Sequence, residues 1–147
     1  MEFKVLRFED LSLDQLYAIL QLRSAIFVVE QDCVYQDLDG LDRDAIHVLG
    51  IKEDQLVAYA RLLKPGAYYP EPAIGRIVTD PEKRGRSLGK QIVDATIQEC
   101  RKQFLGENIK IMAQSYLIDF YKSFGFTVTS DEFLEDGIPH VEMLLTA

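Results

Sequence analysis

The residues best suited to chemistry lie in one stretch, Ile74-Gly75-Arg76-Ile77-Val78-Thr79-Asp80-Pro81-Glu82-Lys83-Arg84-Gly85-Arg86-Ser87-Leu88-Gly89-Lys90. Its apolar start predicts a strand that stops at Asp80-Pro81, and a short basic loop then leads into a helix. The first N–H groups of a helix lack intrahelical partners, and the helix dipole adds partial positive charge there. With Arg84, Arg86 and Lys90 beside them, these groups suit a phosphate or pyrophosphate. A Walker A loop is excluded, because three residues rather than four separate Gly85 from Gly89, and Gln91 follows Lys90. A dinucleotide fingerprint lacks its third glycine. The plain alternative is a loop whose basic side chains are only solvated.

The elements that must position this stretch follow from periodicity. Phe3, Val5, Leu6 and Phe8 suggest a first strand. Ser12 and Gln15 have capping-box spacing, and Leu13, Leu16, Leu20 and Phe27 recur near helical period. A helix is expected from about Ser12 to the mid-twenties, continuing irregularly towards Glu30. Ala45 to Lys52 and Leu56 to Leu63 read as two strands of a hairpin joined by Glu53-Asp54-Gln55. Ala73 to Thr79 is the strand of the stretch itself. The stripe Leu88, Ile92, Thr96, Cys100 and Phe104 then gives a helix that Gly106 ends. Ile109 to Ala113 is a short buried strand. Ser115 is expected to cap a helix carrying Leu117, Phe120, Tyr121 and Phe124, which Gly125 closes. In the last strand Val141, Met143 and Leu145 share one face, and His140, Glu142 and Leu144 share the other. No repeat or linker divides residues 1–147, so one mixed α/β domain is expected.

Composition excludes several classes. A formal net charge of −8 argues against a nucleic-acid surface and would favour cationic ligands if acidic groups line a cleft. No apolar run has the length of a membrane span, and the start of the chain lacks a signal-peptide profile. Cys33 and Cys100 sit in no metal or redox spacing, so a reduced cytoplasmic protein without structural zinc is expected. The acidic segment Asp37-Leu38-Asp39-Gly40-Leu41-Asp42 is not an EF-hand, because Asp42 and Val48 stand where glycine and glutamate are required.

Taken together, the motifs resemble a family. Arg84-Gly85-Arg86-Ser87-Leu88-Gly89 resembles the acyl-CoA-binding motif [Q/R]-x-x-G-x-[G/A] of the GNAT superfamily of N-acetyltransferases, with Ser87 in place of the central glycine. Gln114 to Phe126 resembles the later motif, in which an Asn precedes a helix ending Tyr-x-x-x-Gly-Phe. Tyr121 to Phe126 fits that ending, and Gln114 stands where Asn is usual. Leu22-Arg23, Phe27 to Gln31 with Cys33 and Tyr35, Asp39 to Asp42, and Asp131 to His140 resemble the ElaA-like branch.

The resemblance implies an α/β (α+β) fold with a mixed, splayed central sheet and helices on both faces. It implies acetyl-CoA as co-substrate, held in the opening between two central strands. It also implies direct attack of a primary amine on the thioester, the amine belonging to a small molecule or a protein. Backbone groups of Ile77, Val78 and Thr79 would pair with the pantetheine arm, with the Val78 N–H as oxyanion donor. Residues from Arg84 through Gly85, Arg86, Ser87, Leu88 and Gly89 to Lys90 would take the pyrophosphate, and Gln114 would support the cofactor. Tyr121 is the expected general acid, since passing its proton to a thiolate is uphill by only about 2 kcal/mol at reference pKa values. Glu30, His47, Asp136 and His140 are the candidate bases or acceptor-pocket residues, each with a structural alternative as a capping, pairing or core group. Cys33 is expected to be core or pocket wall rather than a nucleophile. A non-catalytic acyl-CoA sensor is the alternative function. The acceptor's identity and the oligomeric state, a homodimer included, stay open at this level.

Overall fold

The sheet grows from a central hairpin. β2 (Ile46–Lys52) and β3 (Gln55–Leu63) pair antiparallel, and Glu53 and Asp54, with φ of 51° and 61°, form a two-residue turn. Gln55 pairs with Lys52 and therefore belongs to the strand, not to the loop. The structure is a computed structural model that describes residues 1–83 and 87–147. The expectations placed on Arg84, Gly85 and Arg86 lie outside the described residues.

Alternate residues of the hairpin feed two cores, because successive strand side chains point to opposite faces. Val48, Ala58, Ala60 and Leu62 pack with Ile92, Val93 and Ile97 of the helix Leu88–Gln103 on one face. Leu49 and Tyr59 pack instead with Ile19 of α1 (Leu13–Ser24). Helices therefore cover both faces. The helix Leu88–Gln103 is α2, and its stripe is buried at Leu88, Ile92, Thr96 and Cys100 as the four-residue spacing requires. Burial pushes the Cys100 thiol up to about 12, as suits a small core residue. α1 starts at a complete capping box, with Ser12 Oγ accepting from Gln15 N–H at 3.0 Å and Gln15 Oε1 accepting from Ser12 N–H at 2.8 Å. Its irregular continuation is a π-helical segment, Ala25–Glu30.

The strand order is β1-β2-β3-β4-β5-β8-β6, with β7 also on β8. Here β1 is Glu2–Arg7, β4 Ala73–Thr79, β5 Ile109–Gln114, β6 Thr127–Val128, β7 Phe133–Glu135 and β8 Ile138–Leu145. β6 and β7 are not anticipated from the sequence; at two and three residues they carry too little periodicity to read.

Two irregularities open the middle of this sheet. β4 and β5 run parallel, but their register pair is Ala73↔Lys110, supported by Lys110 N–H donating to the Pro72 carbonyl at 2.9 Å. Beyond that pair the two strands part. On its other edge β4 bulges: between the pairs Tyr59↔Val78 and Arg61↔Gly75, β3 advances two residues and β4 three. Arg76 lies in the bulge at φ 51°.

After β5 the chain makes a 3₁₀ turn, Ser115–Leu117, and a short helix α3, Ile118–Lys122. Ser115 does not cap this turn as expected; Gln114 is the flanking residue, and Ser115 Oγ is buried without a partner. Gly125 does close the helix, at φ 102°, and a side chain there would meet Leu145 Cδ1 at 3.1 Å.

Candidate active site

Strand parting leaves a cleft of about 810 Å³ between β4 and β5. Its first wall is the free edge of β4. In an antiparallel pair, both backbone groups of a residue point to one neighbour and those of the next residue point to the other. Asp80 N–H donates to the Val57 carbonyl at 2.8 Å, so with Val78 opposite Tyr59 the Val78 groups also face β3. Thr79 and Ile77 then present their N–H and C=O groups to the opening. Val78, the donor expected from the sequence, lines the cleft, but its side chain packs beside Ile19 and the alternation turns its N–H towards β3, which leaves the Ile77 N–H on the cleft side.

The helix-start residues meet the cleft at Gly89, whose missing side chain leaves an ideal Cβ 3.8 Å from Phe120 Cζ. Ser87 precedes α2 at φ 59°, a conformation that favours glycine, and its side chain makes no capping hydrogen bond. Leu88 is buried in the core, while Lys90 borders a smaller groove beside Asp94 and Arg101.

The opposite wall carries two groups that hold exchangeable protons, His140 and Tyr121. Gln114 ends β5 directly across from His140 of β8, and both line the cleft. His140 is 9% exposed, and its Nδ1 lies 2.7 Å from the Ile138 carbonyl. A carbonyl only accepts, so Nδ1 carries a proton and Nε2 is the nitrogen left to accept one. Phe133 stacks on the ring at 6.2 Å and holds its orientation. Tyr121, 7% exposed, lines the same cleft among Phe120, Phe126 and the core of α2. Burial raises its phenol well above the ordinary value, so it stays protonated.

Glu30, at the end of the π-helical segment, lines the cleft from the third side, with Phe27, Cys33 and Tyr35. Cys33 Sγ donates to the Asp136 carbonyl at 3.5 Å, which ties this wall to the turn between β7 and β8. Asp136 also lines the cleft.

His47 does not. Its side chain is buried under the loop 37–42, with Nδ1 2.7 Å from the Tyr59 hydroxyl and Nε2 2.9 Å from the Asp42 carbonyl. Burial lowers its pKa, and both ring nitrogens are occupied. Alternation explains the misplacement: His47 shares its face of β2 with Leu49, which packs against α1.

An ion network that the sequence reading did not foresee lies over this face. Arg23, fully buried on α1, reaches Asp37 at 2.9 Å and Asp42 at 2.7 Å. Arg61 forks onto both oxygens of Asp39 at 2.8 Å and reaches Asp42 at 3.1 Å. Arg76 Nε lies 2.7 Å from Asp37. Burial pushes the Asp39 carboxyl up, but the Arg61 hydrogen bonds, aided by Leu41 N–H and the nearby guanidinium charges, hold it at about 2. The sequence signal was present: the carboxylates that superficially resemble a calcium loop instead face three arginines. Among the described residues no cluster of His, Cys, Asp and Glu has the makings of a metal site.

A splayed mixed sheet, a free strand edge and a helix start at the same opening define an acyl-CoA N-acyltransferase fold. The model of the acetyltransferase (GNAT) domain matches residues 15–147, and the chain belongs to that family. Its relatives are ElaA-like. It is 44% identical over 145 residues to the protein ElaA of Escherichia coli (strain K12), which covers 97% of this chain and 95% of ElaA. A UPF0039 protein of Synechocystis is 44% identical over 139 residues, covering 94% and 90%. The crystal structure of Escherichia coli ElaA superposes with a TM-score of 0.92 at 43% identity, covering 98% of both chains. An acyl-CoA N-acyltransferase from Pseudomonas aeruginosa does so at 0.94 and 38%, covering 99% of both.

Proposed function

We propose that this protein transfers an acetyl group from acetyl-CoA to a primary amine, of a small molecule or an exposed protein side chain, by direct attack in a ternary complex. One observation carries the reading: the free edge at Ile77 and Thr79 shares a cleft with Tyr121 and His140. Bound acetyl-CoA supplies the electrophilic thioester carbon. The backbone groups of Ile77 and Thr79 hold its pantetheine arm as an added strand edge. The Ile77 N–H faces the carbonyl oxygen as charge grows there, and needs no reorganisation to do so.

The new bond runs from amine nitrogen to carbonyl carbon, and the carbon–sulfur bond breaks. The acceptor first loses one proton to solvent to become the neutral amine; His140 Nε2 takes the second as the bond forms, and Tyr121 donates a hydrogen bond to the departing thiolate, which is protonated to the free thiol as His140 gives up its proton. Glu135 and Asp136 add carboxylates to the lining, whereas Arg61 and Arg76 face Asp39 and Asp37. That balance favours a cationic amine.

The test is thiol release from acetyl-CoA across a panel of primary amines, with the acetylated amine identified by mass. Amine-dependent release with matching product is the expected result. Tight acetyl-CoA binding without such release would replace this reading with the sensor.

A further inference from the structure

The three arginines that hold the loop 37–42 do not sit in equivalent places. Arg23 belongs to α1 and Arg61 to the paired interior of β3. Arg76 alone stands in the β4 bulge, one residue before Ile77. Its φ of 51° is a conformation that glycine adopts freely, so the bulge itself has no need of an arginine. What the side chain adds is a guanidinium turned back onto the loop. Nε lies 2.7 Å from Asp37 Oδ1, and Nη2 donates to the Asp37 carbonyl at 3.0 Å and lies 3.4 Å from Asp39 Oδ2. The same group lies 6.0 Å from the Phe27 ring centre and 5.9 Å from that of Tyr35.

Phe27 and Tyr35 belong to the third side of the cleft, which also carries Glu30. Ile77 and Thr79, next along the same strand, present the edge assigned to the cofactor arm. We propose that Arg76 is a positioning residue for the amine acceptor: it fastens the acceptor-side wall to the bulge whose following residues hold acetyl-CoA. The inference rests on the acyltransferase reading above. A planar fork bridging Asp37, Asp39 and two rings fixes the spacing between the two halves of the cleft. A lysine, as a point charge on a flexible stem, does not.

The test uses Arg76→Gly, which suits the bulge conformation, and Arg76→Lys, which keeps the charge. Acetyl-CoA affinity is expected to stay within about twofold of wild type in both, while kcat/KM for the fastest amine of the panel falls by about tenfold or more, chiefly through KM. Millimolar guanidinium ion should partly restore Arg76→Gly. In the protein without cofactor, backbone amides of residues 31–41 should exchange faster in Arg76→Gly than in wild type. Unchanged amine KM with unchanged exchange overturns the proposal. So does an equal loss of acetyl-CoA affinity, because Arg76 would then support the cofactor edge itself. A wild-type protein that fails to bind acetyl-CoA overturns the acyltransferase reading, and that failure is visible before any variant is measured.

Discussion

Tyr121 illustrates how position rather than residue type decides chemistry. Its burial raises the phenol pKa, which guarantees the proton but makes full transfer to a thiolate more uphill than the reference values imply. In the proposed reaction its expected contribution is therefore chiefly a hydrogen bond to the sulfur. Tyr121→Phe should lower kcat by about 10²-fold or more while acetyl-CoA affinity, measured by calorimetry, stays within about twofold. Unchanged turnover removes Tyr121 from the mechanism. His140→Gln should produce a loss of similar size at fixed acetyl-CoA affinity, since it removes the Nε2 lone pair. His47 predicts something different, because it acts on stability. Its folded pKa lies below the unfolded value of 6.5, so the folded state binds fewer protons as acid is added. Stability should fall as pH drops below about 6.5, by at most about 1.4 kcal/mol per pH unit. Urea unfolding between about pH 7.5 and 5 should show that slope in the wild type and a flatter one in His47→Gln.

At the scale of elements, the bulge and the loop network are the parts proposed to do the positioning. Removing Arg23 leaves Asp37 and Asp42 short of a buried partner, and Arg23→Ala should destabilise by about 3–5 kcal/mol in denaturant unfolding. Ser87 is a milder case. Its left-handed backbone costs about 1 kcal/mol for a residue with a Cβ, so Ser87→Gly should be neutral to stabilising, and a clear loss would show that the hydroxyl has a role. Much of this was legible beforehand. The capping box, the hairpin, the α2 stripe and the β8 alternation are local patterns, and each formed where the residues put it. The cap expected of Ser115 failed because the chain turns as 3₁₀ first, and β6 and β7 are too short to leave a period. The Arg–Asp network escaped because its partners are separated by 14 to 39 residues.

The whole molecule joins these parts through the opening between β4 and β5. If that opening takes acetyl-CoA in the folded state only, ligand at a hundred times its dissociation constant adds about 2.7 kcal/mol of stability. For a chain of this size the melting temperature should rise by roughly 5–10 °C, with no comparable rise from ATP and magnesium. No helix among the described residues is long and apolar enough to cross a membrane. The order of residues alone determined the family and most of the elements, because caps, periods and glycines act over a few neighbours. Only the tertiary structure decided which backbone groups face the cleft, which histidine reaches it, and that the acidic loop binds arginines. Those outcomes depend on strand register and on the hand of each side chain across the sheet. A one-residue bulge at Arg76 shifts both, and no local pattern records it.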